Sequence, residues 1–142
     1  MKILIVDSEP EYSERVIRFL KKEHEVKIAG GTKQLQNYYE AEAYDHLNYF
    51  DIVITENVMP GGIFPPEETE GCTHTAWAIY HKFLKDLPHT KLVIWTRSIP
   101  FIQYPTDLHP DRKWPDDVIL WHKDASNDNN LLDCVNKIMD KK

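Results

Sequence analysis

Four short apolar runs in this 142-residue chain each end on residues that can do chemistry. Ile3-Leu4-Ile5-Val6 leads into Asp7, Ser8 and Glu9, and Ile52-Val53-Ile54 leads through Thr55 to Glu56 and Asn57. Leu92-Val93-Ile94-Trp95 ends at Thr96, and Val118-Ile119-Leu120-Trp121 is followed, after His122, by Lys123. Together these ends supply carboxylates, hydroxyls and an ammonium. Carboxylates brought to one point repel unless a cation sits among them. Lys123 can be that cation, and so can a hard divalent ion, which takes carboxylate and carbonyl oxygens. A hydroxyl and an ammonium flanking the same point can hold phosphoryl oxygens. The chemistry is that of a phosphoryl or metal pocket, or of its remnant.

The elements that must bring these groups together are legible from periodicity. Each apolar run suits a strand buried on both faces of a parallel sheet. Between the strands the spacing turns helical. Tyr12, Val16, Phe19 and Leu20 share one face, and Leu35, Tyr39, Ala43 and Leu47 recur every four residues after Thr32, which is expected to cap that helix. Ala76, Tyr80, Phe83, Leu84 and Leu87 form a third stripe ended by Pro88, and Leu131, Val135, Ile138 and Met139 form the last, with Lys141 and Lys142 favourably placed at its end. Val26-Lys27-Ile28-Ala29, followed by the breaker Gly30-Gly31, completes a set of five strands.

Strands and helices alternating in this way predict an α/β fold: one domain over residues 1–142 with a five-stranded parallel sheet and helices on both faces. In such sheets functional residues gather at the carboxyl ends of the strands, near the switch in strand order. That rule alone selects Asp7, Ser8, Glu9, Glu56, Asn57, Thr96 and Lys123. The stretch between strands four and five breaks the alternation, because Pro100, Pro105, Pro110 and Pro115 forbid a full helix. An extended loop is expected there, and another, rich in Gly, Pro and Glu, from Met59 to about Gly71.

Composition narrows the function classes. A net charge of −6 argues against a nucleic-acid surface spread over the domain, since phosphate binding needs clustered Lys and Arg. Cys72 and Cys134 read as free thiols in a reducing compartment, and the apolar run before Asp7 is too short for a leader or a membrane span. A cytoplasmic protein is expected. There is no P-loop, no G-x-G-x-x-G and no nucleophile elbow, so an enzyme is not expected. Cys72, His74 and His81 have poor spacing for zinc. Trp95 and Trp121 are expected in the core, whereas Trp77 and Trp114 are candidate exposed contact anchors.

Here the sequence resembles the receiver domains of response regulators. Ile3 to Pro10 looks like that family's first strand and acidic turn, and Asp51 to Gly61 like its third strand, acceptor site and Met-Pro-Gly loop. Thr96 and Lys123 fall where the family has its hydroxyl and its lysine. The resemblance covers nearly the whole chain except about residues 63–71 and 99–115. It implies a flavodoxin-like, doubly wound sheet in the order 2-1-3-4-5, with the fourth helix replaced by the Pro-rich loop.

The departures from the family bear directly on activity. Ser8 stands where a second acidic residue is usual, Glu56 where the phosphoacceptor Asp is usual, Asp124 where Pro follows the lysine, and Leu120 at the aromatic switch position. Asp7, Thr96 and Lys123 therefore carry over; the acceptor role at Glu56 and the ligand role at Ser8 do not. What remains for Mg²⁺ is Asp7, Glu56 and the backbone carbonyl of Val58, a set expected to bind weakly, because ligand charge sets affinity. Glu places its carboxylate about 1.5 Å further out than Asp, far enough to spoil a positioned reaction and to meet Lys123 directly. Ser8 also heads Ser8-Glu9-Pro10-Glu11, a capping-box pattern.

The resulting expectation is an atypical receiver that signals by contact with a protein partner, a sensor kinase or a downstream regulator, without aspartyl phosphorylation. Neither nucleic acid nor membrane is expected as a partner. Two alternatives stand beside it. One is a divergent phosphorelay receiver that still takes a phosphoryl group from a histidine kinase, on Asp7. The other is a flavodoxin-like small-molecule binder using the same crevice, with Gly61, Gly62 and Tyr104 in its lining.

Overall fold

In the computed structural model, which describes residues 1–69, 71–97, 114–123 and 130–140, each of the five expected strands is present. They are β1 (Lys2–Val6), β2 (Glu25–Ala29), β3 (Ile52–Thr55), β4 (Lys91–Thr96) and β5 (Ile119–His122). All pair in parallel, in the order β2-β1-β3-β4-β5. The switch in order therefore falls between β1 and β3, whose carboxyl ends carry Asp7 and Glu56.

Alternation along the strands sorts the core into two layers, because successive side chains point to opposite faces. Ile3 and Ile5 of β1 join Ile52 and Ile54 of β3 on one face, under α1 (Glu14–Lys21) through Val16, Ile17 and Leu20. The last helix, called α5 here (Asn130–Asp140), covers the same face with Leu131, Cys134, Val135 and Ile138. Leu4, Val6, Val53, Leu92 and Ile94 face the other way, against Leu35 of α2 (Thr32–Glu40) and Ala76, Ile79, Phe83 and Leu84. Those last four come from α4 (Thr75–Ile79) and from its continuation Tyr80–Leu84, a wider π-helical turn in which Lys85 N–H reaches back to the Tyr80 carbonyl at 2.8 Å. Helices thus cover both faces of the sheet, as the alternating pattern predicts.

Four expectations about helices and their caps need correction. The second helix stops at Glu40 instead of running to Leu47, and a 3₁₀ segment (Glu42–Leu47) follows it. Asp45, His46 and Leu47 there have φ of 47°, 51° and 73°, a left-handed run that ends any helix. Leu47 still reaches the core but Ala43 is exposed, so the four-residue spacing continued past the helix that produced it. Thr32 is the first helical residue, not the cap, and its hydroxyl serves another loop. Ser8 caps nothing: Pro10–Ser13 form a 3₁₀ turn whose N-cap is Glu9, without a side-chain cap. Inside the Met59–Gly71 loop lies a single helical turn, α3 (Pro66–Thr69), and its Glu67 and Glu68 are exposed.

Trp95 is buried and Trp121 half-buried, as expected for strand residues. Trp77 and Trp114 are not exposed anchors. Their rings meet edge to face at 5.0 Å, and Tyr80 joins Trp114 at 5.7 Å, so both tryptophans are half-buried against each other. The proline-rich loop, apart from Trp114 and Pro115, lies outside the described residues, as do Tyr104, Asp124, Lys141 and Lys142. Among the described residues no helix is long and apolar enough to cross a membrane.

Candidate functional site

The groups selected at the strand ends are held by the sheet itself. Asp7 N–H donates to the Ala29 carbonyl at 3.0 Å, Glu56 N–H to Val6 at 3.2 Å, and Lys123 N–H to Thr96 at 2.8 Å. The parallel ladder thus runs one residue beyond each strand, and that residue is the one with the ionisable side chain. Rigid backbone under a charged group is what a positioned site needs.

The side chains converge as the strand-end rule requires. Lys123 Nζ donates to Asp7 Oδ2 at 3.3 Å and lies 3.6 Å from Glu56 Oε2. All three side chains are largely withdrawn from water: Lys123 is 13% exposed, Asp7 8% and Glu56 16%. The ammonium also sits 4.4 Å from the centroid of the Trp95 ring, whose π face favours a cation. The second oxygen of each carboxylate is occupied too. Asp7 Oδ1 accepts from Glu9 N–H at 2.9 Å, and Glu56 Oε1 accepts from Asn57 N–H at 2.8 Å and Val58 N–H at 3.4 Å. Asp7, not Ser8, therefore orders the turn after β1.

A crevice of about 290 Å³ opens above this triad, lined by Asp7, Ser8, Glu9, Glu56, Val58, Arg97 and Lys123. Thr96 is fully buried and meets Lys123 through its carbonyl. Arg97, exposed at the rim, escaped the sequence reading although it directly follows Thr96 at the end of β4. Asn57 proves to be a structural clasp. Its Nδ2 donates to the Thr73 carbonyl at 3.0 Å, and its carbonyl accepts from Thr75 N–H at 3.0 Å. Its Oδ1 accepts from Ala76 N–H at 3.3 Å. The loop after β3 is thereby fixed to the first turn of α4.

These residues do not fit a resident divalent ion. The Lys123 ammonium already supplies the positive charge beside Asp7 and Glu56, and every oxygen of the two carboxylates has a protein partner. Ser8 adds no charge to the set. Among the described residues no group of three or more His, Cys, Asp or Glu is placed to hold a metal, Cys72, His74 and His81 included. Cys72 and Cys134 are free thiols. Burial pushes the Cys134 thiol up to about 11, with Lys137 opposing the shift.

A comparison with protein families and with curated proteins finds no match for this chain. Function must therefore be argued from the pocket.

Proposed function

We propose that this chain is a receiver-like signalling domain that acts through protein–protein contact, without phosphorylation of its pocket. The observation that carries the reading is the engagement of Glu56, whose carboxylate stands at the acceptor position with Oε2 3.6 Å from Lys123 Nζ and Oε1 on two backbone N–H groups. An acceptor must offer a lone pair in line with an incoming phosphoryl group. Here the ammonium that would meet that phosphoryl group is already paired with the acceptor and with Asp7. The parallel order 2-1-3-4-5 is compatible with a flavodoxin-like, receiver-type frame. With its charges satisfied from within, the pocket holds one arrangement, and a partner, a sensor kinase or a downstream regulator, would read that constant surface.

The phosphorelay alternative, with Asp7 as acceptor, draws no support from an Asp7 that is buried and bonded through both oxygens. A crevice of about 290 Å³ lined mostly by charged groups lies at the small, polar end of what small-molecule sites use. Intact-mass analysis after incubation with acetyl phosphate and Mg²⁺, with Glu56→Asp alongside, tests the proposal. The wild type is expected to stay unmodified while Glu56→Asp gains one phosphoryl group. A stoichiometric acyl phosphate on the wild type would falsify it.

A further inference from the structure

We propose that the groove between α3 and α4 is a binding site for a free aromatic amino acid, held as a zwitterion with its ring on the apolar floor and its two charges between Glu68 and Lys82. The groove shares no residue with the strand-end crevice, so the inference goes beyond the proposed function and does not depend on it.

One wall of the groove is a helical face. Trp77, Ala78, His81 and Lys82 stand at i, i+1, i+4 and i+5, which brings them to one side of α4 and of the wider turn that continues it. The loop after β3 supplies the other wall, with Phe64 and, from α3, Glu68. The volume between them is about 520 Å³, within the range of small-molecule sites. Phe64 and Ala78 are buried and make the floor apolar. Trp77 is a fixed wall, because its ring leans on His81 at 4.4 Å and meets Trp114 edge to face at 5.0 Å. Phe64 is braced by the Phe83 ring at 6.4 Å, and its N–H donates to the Gly61 carbonyl at 3.1 Å. A site ordered before its ligand arrives loses little entropy on binding.

The rim decides the ligand. Glu68 and Lys82 are exposed, carry opposite charges and come from different walls. Among the described residues no cation pairs with Glu68 and no carboxylate with Lys82, whose ammonium lies 5.7 Å from the Phe83 centroid. An aromatic amino acid answers all three features: a ring for the floor, a carboxylate for Lys82 and an ammonium for Glu68. A simple acid or amine leaves one charge of the rim unanswered, and an apolar molecule leaves both.

The test is titration of the isotope-labelled full chain with L-phenylalanine at pH 7, followed by nuclear magnetic resonance of the backbone amides and indole N–H groups. Two analogues with one charge each, 3-phenylpropanoate and 2-phenylethylamine, are titrated at the same ionic strength. Saturable shifts centred on Phe64, Trp77 and Lys82 are expected, with a dissociation constant of roughly 1 mM. Each analogue is expected to bind about three-fold more weakly, as for one exposed ion pair lost. Lys82→Met should erase the advantage of phenylalanine over the amine, and Glu68→Gln its advantage over the acid. Both replace exposed side chains outside the core, and the wild-type titrations decide even where a variant does not fold. Shifts that do not saturate, shifts centred elsewhere, or analogues as tight as phenylalanine overturn the inference, and so does an advantage that survives both substitutions. An acyl phosphate found by mass bears on the proposed function alone.

Discussion

Lys123 Nζ and Asp7 Oδ2 lie 3.3 Å apart although 116 residues separate them in the chain. Asp7 follows the interior strand β1, and Lys123 follows the edge strand β5. Removing Asp7 leaves the largely buried Lys123 with Glu56 at 3.6 Å and Glu9 N–H without its acceptor, a smaller loss than leaving a buried charge wholly unpaired. Asp7→Ala should therefore destabilise the fold by about 2 kcal/mol. Asp7→Asn, which keeps an acceptor for Glu9 N–H, should cost less. Urea midpoints at pH 7 check both, and equal costs would show that the turn bond contributes nothing.

Gly62 has φ of 58°, and a Cβ there would fall 2.2 Å from Thr32 Oγ1. Gly62→Ala is expected to destabilise by about 2 kcal/mol through the left-handed backbone and the clash together. Thr32→Ala alone should cost about 1–2 kcal/mol, because Ile63 N–H loses its acceptor and the Gly61 carbonyl keeps only Phe64 N–H. The double variant removes the obstacle, so its cost should fall short of the sum. A denaturation double-mutant cycle measures the difference.

The two thiols should react at very different rates. Cys134 is buried on the inner face of α5, and its pKa is pushed up to about 11, so at pH 8 about one part in a thousand is thiolate. Cys72 is half-buried in the loop after α3. Native protein treated with N-ethylmaleimide at pH 8 should gain one adduct quickly, on Cys72, and a second only in denaturant. Intact mass followed by peptide mapping reads both.

Acidification should weaken the fold through His24, whose pKa burial lowers from the ordinary 6.5. Above 6.5 the ring is neutral folded or unfolded and contributes no pH dependence. Below it the unfolded chain takes up a proton that the folded chain resists, so stability falls as pH drops from 6.5 through the lower folded value. His24→Gln should flatten the loss of urea midpoint between pH 7.5 and 5.5. An unchanged slope would show that the ring protonates in the folded state as readily as in the unfolded one.

The sheet was legible because burial on both faces writes the interior strands β1, β3 and β4 as unbroken apolar runs, and the strand-end rule then located Asp7, Glu56 and Lys123. Helix ends were harder to read. Leu47 keeps a four-residue spacing with Leu35 and Tyr39, yet it enters the core from a left-handed turn, where periodicity carries no information about the backbone. Ser8 fits a capping pattern, but Pro10 starts a 3₁₀ turn too early for that cap to form. The pairing of Trp77 with Trp114 joins segments distant in sequence, so neither ring's burial could be read locally. Arg97 was readable by the rule that found its neighbour and was passed over.

The hydroxyl of Thr32 donates to Gly61 at 2.9 Å and accepts from Ile63 N–H at 3.0 Å, which fastens the start of α2 to the loop after β3. Asn57 fastens the other end of that loop to α4. The loop is thus a yoke between two helices. Glu56 therefore sits at the head of a loop hung from two helices, and its place over the sheet is set by α2 and α4 together.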